Sequence, residues 1–99
     1  MSERAPLHCS EMQDIREQID ALDKRLVALL ADRQKLIAAA GKVKPTRDTV
    51  RDEARIEEVI ALVLAEAKTA GLARDIAEPV WRQLIESSIA YEYGEFDKR

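Results

Sequence analysis

The sequence predicts an all-α fold: a three-helix subunit with one very long first helix, intertwined with a second copy in a helical homodimer. Three observations carry this expectation. Apolar residues recur at alternating steps of three and four from Met12 onward. Glycine and proline are scarce, three each in 99 residues, and β-branched clusters are few. The first helical stretch is also too long for a compact chain of this size to cover by itself.

The first helix begins at a capping-box pattern, Ser10 followed three residues on by Gln13. Its apolar positions run Ile15, Ile19, Leu22, Leu26, Leu29, Leu36 and Ala40, a seam of coiled-coil type. No proline interrupts it until Pro45, which also disfavours helix at Lys44. Gly41 is a weak spot near its end. A helix over 11–43 measures roughly 50 Å at about 1.5 Å per residue. A compact chain of this length has a radius of gyration near ~13 Å. The seam therefore leaves its own domain, and a partner chain is the natural cover.

Residues 45–48 read as a loop, and Thr49 with Asp52 three residues on is the next N-cap signal. The second helix carries Ile56, Val59, Ile60, Val63, Leu64 and Ala67 on its apolar face. Gly71 fits its C′ position, with Leu72 as the apolar residue that often follows. Asp75 with Glu78 opens the third helix, and Pro79 is tolerated in a first turn. Its apolar face holds Ala77, Val80, Trp81, Leu84 and Ile85, with Tyr91 further along. Residues 94–99 are expected to fray. The whole, 1–99, reads as a single domain with a leader over 1–9.

The net charge of −3 and a pI near 5.2 argue against a nucleic-acid partner, whose binders carry a basic face. A lone cysteine, Cys9, has no internal partner for a disulfide, which points to a reducing compartment. Residues 1–9 lack the apolar core of a signal peptide. The longest apolar run, 59–65, is too short to cross a bilayer, so no membrane association is expected. The expected location is the cytoplasm. His8 is the only histidine and stands in the leader, so no metal-ligand set is expected. There is neither a glycine-rich phosphate loop nor a Ser-His pair.

The informative residues are polar ones on apolar stripes. Arg33 falls between Leu29 and Leu36, where the seam asks for an apolar side chain. Lys44, eleven residues on, lies within about 20° of the same face and about 16 Å along the axis. An unpaired charge there costs several kcal/mol. The plain alternative is an arginine whose head bends out to solvent. Arg16 borders the same seam but sits about 25 Å from Arg33 along the helix. One small ligand meets both only if an antiparallel partner helix delivers its own Arg16. Ser88 and Glu92 continue the face of Leu84 and Ile85, with a wet helix end as the plain alternative. Arg51, Asp52 and Arg55 open the second helix. Arg51 reads as solvated, whereas Arg55 lies beside the core face and is the better site candidate. Several cations converging on one place suit a small dicarboxylate.

These residues resemble the all-helical chorismate mutase family. The likeness rests on Ile15-Arg16-Glu17-Gln18-Ile19-Asp20, Leu22-Asp23, Leu29-Leu30-Ala31-Asp32-Arg33 and Gly41-Lys42-Val43-Lys44. Val50-Arg51-Asp52 with Arg55, and Ile85-Glu86-Ser87-Ser88, continue it over about residues 12 to 92. The resemblance implies an intertwined dimer with two identical sites, rearranging chorismate to prephenate without a cofactor. It implies that Arg16 reaches a substrate carboxylate from the partner chain, that Arg33 holds one from its own chain, and that Lys44 donates to the ether oxygen. It further implies that Arg55 supports the ring side, that Asp52 acts through its backbone, and that Ser88 contacts a carboxylate or the ring. Glu92 takes the position of a second donor to the ether oxygen, where many members carry Gln. Ile56 stands at the ligand where many carry a Glu that binds the ring hydroxyl. An apolar residue there, and Cys9-Ser10 before Asp14-Ile15-Arg16, are similar to the isochorismate pyruvate-lyases, which make salicylate. A helical dimerisation module without catalysis is the reading from another class.

Overall fold

The structure, a computed structural model, describes residues 11–99. Three α-helices, α1 (Met12–Val43), α2 (Glu53–Ala70) and α3 (Arg74–Asp97), follow in order, with a 3-10 turn at Arg47–Thr49. The leader over 1–9, with His8 and Cys9, and the expected capping residue Ser10 lie outside the described residues. The chain divides into two compact units, one ending at Gln34 and one running Lys35–Arg99.

The described part of the first unit is helical from Met12 onward. The unbroken alternation of apolar positions carries α1 through 32 residues, as the sequence predicts. Its seam is exposed: Leu22 is 51% and Leu29 64% accessible. Isolated exposed apolar residues are ordinary, but a continuous row of them marks an interaction surface.

In the second unit α2 and α3 pack against each other. Ile56, Ile60 and Ile85 form the centre of the core, flanked by Val59, Leu64, Trp81 and Ile89. Gly71 closes the connection at φ 78°, a left-handed conformation that suits a residue without Cβ. Its N–H donates to the carbonyls of Ala67 and Lys68, and Leu72 N–H donates to Ala67 O at 2.8 Å. This is the glycine C-terminus the sequence signalled.

Four local expectations need correction. The N-cap of α2 is Asp52, whose carboxylate accepts from Arg55 N at 3.0 Å. Thr49 instead ends the 3-10 turn, its hydroxyl donating to Thr46 O at 2.6 Å. An aspartate both caps and meets the positive helix end, so it outcompetes the threonine three residues earlier. α3 starts at Arg74, after Ala73, whose carbonyl accepts from Ile76 N and Ala77 N at 3.0 Å. Asp75 therefore lies inside the first turn, and Pro79 lies deeper in the helix than its first turn. Val80 and Tyr91 are exposed, because the buried stripe follows Ala77, Ile85 and Glu92 instead.

The last correction concerns the tail. Residues expected to fray from Gly94 are helical through Asp97. Asp97 accepts from Arg47 Nε at 3.0 Å, and the Arg47 guanidinium lies 4.4 Å from the centre of the Tyr93 ring. Arg99 donates to three carbonyls near the end of α1.

Exposed ion pairs tie α3 to the chain before it. Arg51 donates to both Glu86 oxygens at 2.9 Å, and Arg82 donates to both Glu57 oxygens at 3.1 Å. The hydrogen bonds from these arginines hold the Glu86 and Glu57 carboxyls below the usual carboxylate range. Their contribution to stability is present above that usual range. It is lost as pH falls through the lowered values. No described helix is long and apolar enough to cross a membrane.

Candidate active site

Lys44 follows directly on α1, its N–H donating to Ala40 O at 3.0 Å. Pro45 prevents the helix from continuing, and the 3-10 turn brings the chain back so that Lys44 meets its own loop. The ammonium donates to Thr49 O at 3.1 Å and Val50 O at 3.5 Å. Val50, 4% exposed, anchors that end of the loop in the interior.

The same ammonium stands 3.0 Å from Oε2 of Glu92 on α3. Glu92 is 6% exposed, a charged side chain inside an otherwise apolar interior. Its Oε2 lacks a partner with hydrogen-bond geometry, so the Lys44 contact is an ion pair by distance alone. A buried carboxylate held this way is costly for folding alone.

Gly41 fixes the distance between the two elements. A Cβ built there would stand 2.9 Å from the Glu92 carbonyl oxygen and 3.2 Å from Glu95 Cβ. The glycine that weakens α1 as a helix therefore lets α3 approach its backbone, and Glu92 arrives beside Lys44 as a result.

The other predicted residues are placed as follows. Ser88 is half-buried on α3, four residues before Glu92 and on the same face. Asp52 serves as the α2 cap. Arg55 is exposed and paired with Glu58 in its own helix, rather than turned to the core. Ile56, expected at the ligand, packs in the core with Ile60 and Ile85, because it shares the i, i+4 stripe of α2. In the first unit Arg16 is exposed and Arg33 half-buried, and burial pushes the Arg33 guanidinium pKa down. An arginine keeps its charge through such a shift, so Arg33 remains a cation partly stripped of water.

Sequence reasoning missed three contributors. Gly41 carried a usable signal, since a glycine near the end of a strong helical pattern often marks close approach. Arg47 and Arg99 carried none. Their partners are 50 residues or more away in sequence, and a terminal charged run reads as solvent-facing.

A half-buried ammonium beside a buried carboxyl, with Ser88 on the same face, is able to bind an oxygen that gains negative charge. Residues 15–93 match the family described as chorismate mutase type II. The chain belongs to that family. The matched stretch of this type II chorismate mutase domain contains every residue singled out above from Arg16 to Glu92, and it leaves out Arg99.

Among curated relatives, the T-protein of Haemophilus influenzae is 33% identical over 90 residues, 82% of this chain and 22% of its own length. The T-protein of Enterobacter agglomerans is 33% identical over 84 residues, 84% of this chain and 22% of its own. The bifunctional chorismate mutase/prephenate dehydratase of Escherichia coli is 43% identical over 53 residues, 48% of this chain and 14% of its own. The type II chorismate mutase chain thus spans about a fifth of the length of the T-proteins it matches.

Proposed function

We propose that this chain is a chorismate mutase, acting in the cytoplasm as a homodimer with two shared sites. The carrying observation is the pairing of half-buried Lys44 with buried Glu92 in a chain of the type II chorismate mutase family. The reaction is an intramolecular rearrangement: the ether C–O bond breaks as a C–C bond forms, and no atom enters or leaves. The ether oxygen gains negative charge in the transition state. Lys44 donates to it, and Glu92 stands beside Lys44 in the position of a second polar group at that oxygen. Fixed donors in a water-poor site stabilise that charge without reorganising during the reaction. The substrate's two carboxylates fall to Arg33 and to Arg16 of the partner subunit, which select the compact conformer. Arg16 and Arg33 of one chain stand about 25 Å apart along α1 and cannot share one small ligand. The exposed seam of α1 is the surface on which the second copy docks.

The test is turnover of chorismate by the purified chain. Chorismate absorbance should fall with prephenate formed and no pyruvate released. Pyruvate and salicylate from isochorismate, with chorismate untouched, would instead establish the lyase. Arg33→Ala should cut turnover by at least about a hundredfold, since removal of one fixed charge donor has effects of that order. Sedimentation should show the variant still dimeric. Undiminished turnover in Arg33→Ala would remove Arg33 from the site, and a dimerising protein with neither activity would support the non-catalytic module.

A further inference from the structure

We propose that Arg99 is a positioning residue for Lys44, a role that rests on the reading of Lys44 as the donor to the ether oxygen. The Arg99 Nη1 donates to Gly41 O at 3.2 Å, Lys42 O at 3.0 Å and Lys44 O at 2.7 Å. The last carbonyls of a helix lack intrahelical donors, and a cation suits that end. Arg99 supplies both needs from the far end of the chain, and its shortest bond is to the carbonyl of Lys44 itself.

The side chain of Lys44 is held by a different set of groups, Thr49 O, Val50 O and Glu92. Its backbone and its ammonium are thus fixed independently, the first by Arg99 and the second by the loop and α3. Arg99 is in turn oriented by the Phe96 ring, 3.9 Å from the guanidinium carbon to the ring centre. The neighbouring Arg47–Asp97 pair, with Tyr93 beneath Arg47, fastens the last turn of α3 to the same loop. The result is a clamp in which the end of α3 grips the loop on both sides of Lys44. Arg99 touches neither Glu92 nor the Lys44 ammonium in any of these bonds, so it acts through backbone placement. A donor displaced by even about 1 Å loses much of its value to a transition state.

The test uses the full chain with Arg99→Ala and Arg99→Lys, and Arg74→Ala as a control that removes an exposed ion pair elsewhere on α3. Steady-state kinetics on chorismate, thermal unfolding and amide hydrogen exchange over residues 41–50 are measured for each. Arg99→Ala should lower kcat about tenfold or more with little change in KM. It should also lose exchange protection over 41–50 alone. Arg99→Lys should recover most of both, because an ammonium can donate to the same carbonyls. Arg74→Ala should change neither. Wild-type kcat in Arg99→Ala would overturn the proposal. So would a loss of kcat accompanied by protection lost throughout the chain. If the wild-type chain does not convert chorismate, the mutase reading fails by that result alone. Hydrogen exchange then decides the clamp, since unchanged protection over 41–50 in Arg99→Ala overturns it and a confined loss supports it.

Discussion

Glu92 is tested by two substitutions of different chemistry. Glu92→Gln keeps the shape and supplies a permanent N–H donor, so in the mutase reading turnover should persist. Glu92→Ala removes the polar group beside Lys44 and should lower kcat about a hundredfold. Wild-type kcat in Glu92→Ala would remove Glu92 from the chemistry. The sequence singles out Lys44 and Glu92 because each is a charge on an otherwise apolar stripe, and the structure brings the two side chains to 3.0 Å. Ile56 and Arg55 were harder to read. Adjacent residues on a helix differ by about 100° in direction, and the pattern alone does not say which one turns toward a ligand. Packing answers for Ile56, which fills the core beside Ile60.

At the scale of elements, α1 and α2 were legible to within a few residues because each has a long periodic stripe and a strong stop signal, Pro45 for α1 and Gly71 for α2, whereas α3 has no such stop and runs on to Asp97. The helix starts were less legible. Thr49 and Asp52, or Ala73 and Asp75, compete for one cap, and the outcome depends on which carbonyls and carboxylates the turn leaves in reach. Gly41 signals a close approach in the sequence but not its partner, since α3 arrives from about 50 residues away. Gly41→Ala makes that approach measurable. Alanine favours an exposed helix by about 1 kcal/mol over glycine. Here its Cβ meets a backbone oxygen at 2.9 Å, which no rotamer change relieves. Overpacking of this kind costs about 1–3 kcal/mol. Urea unfolding should show a net loss of stability, and turnover should fall with it because Glu92 is the residue displaced.

For the whole molecule, the sequence showed that α1 has more apolar seam than its own chain conceals, and the structure leaves that seam exposed along Leu22, Leu26 and Leu29. Pairing with a second copy has a specific signature if each site draws Arg33 from one chain and Arg16 from the other. Arg16→Ala and Arg33→Ala homodimers should each be inactive. Their mixture, once subunits exchange, should regain up to about a quarter of wild-type activity, since half the dimers are mixed and each mixed dimer has one intact site. Exchange without recovery would rule out sharing. The short turn at Gly71 also bears on how the protein comes together in time. Contacts between α2 and α3 join segments close in sequence, and such contacts form fast, on the scale of microseconds to milliseconds. In the dimer reading the seam of α1 gains its cover only when another chain is met, and encounter slows as the protein is diluted. On that reading a freshly made chain completes its α2–α3 hairpin early and then waits with α1 uncovered. At low abundance that interval lengthens, and the bare seam becomes the part of the molecule that chaperones and proteases see first.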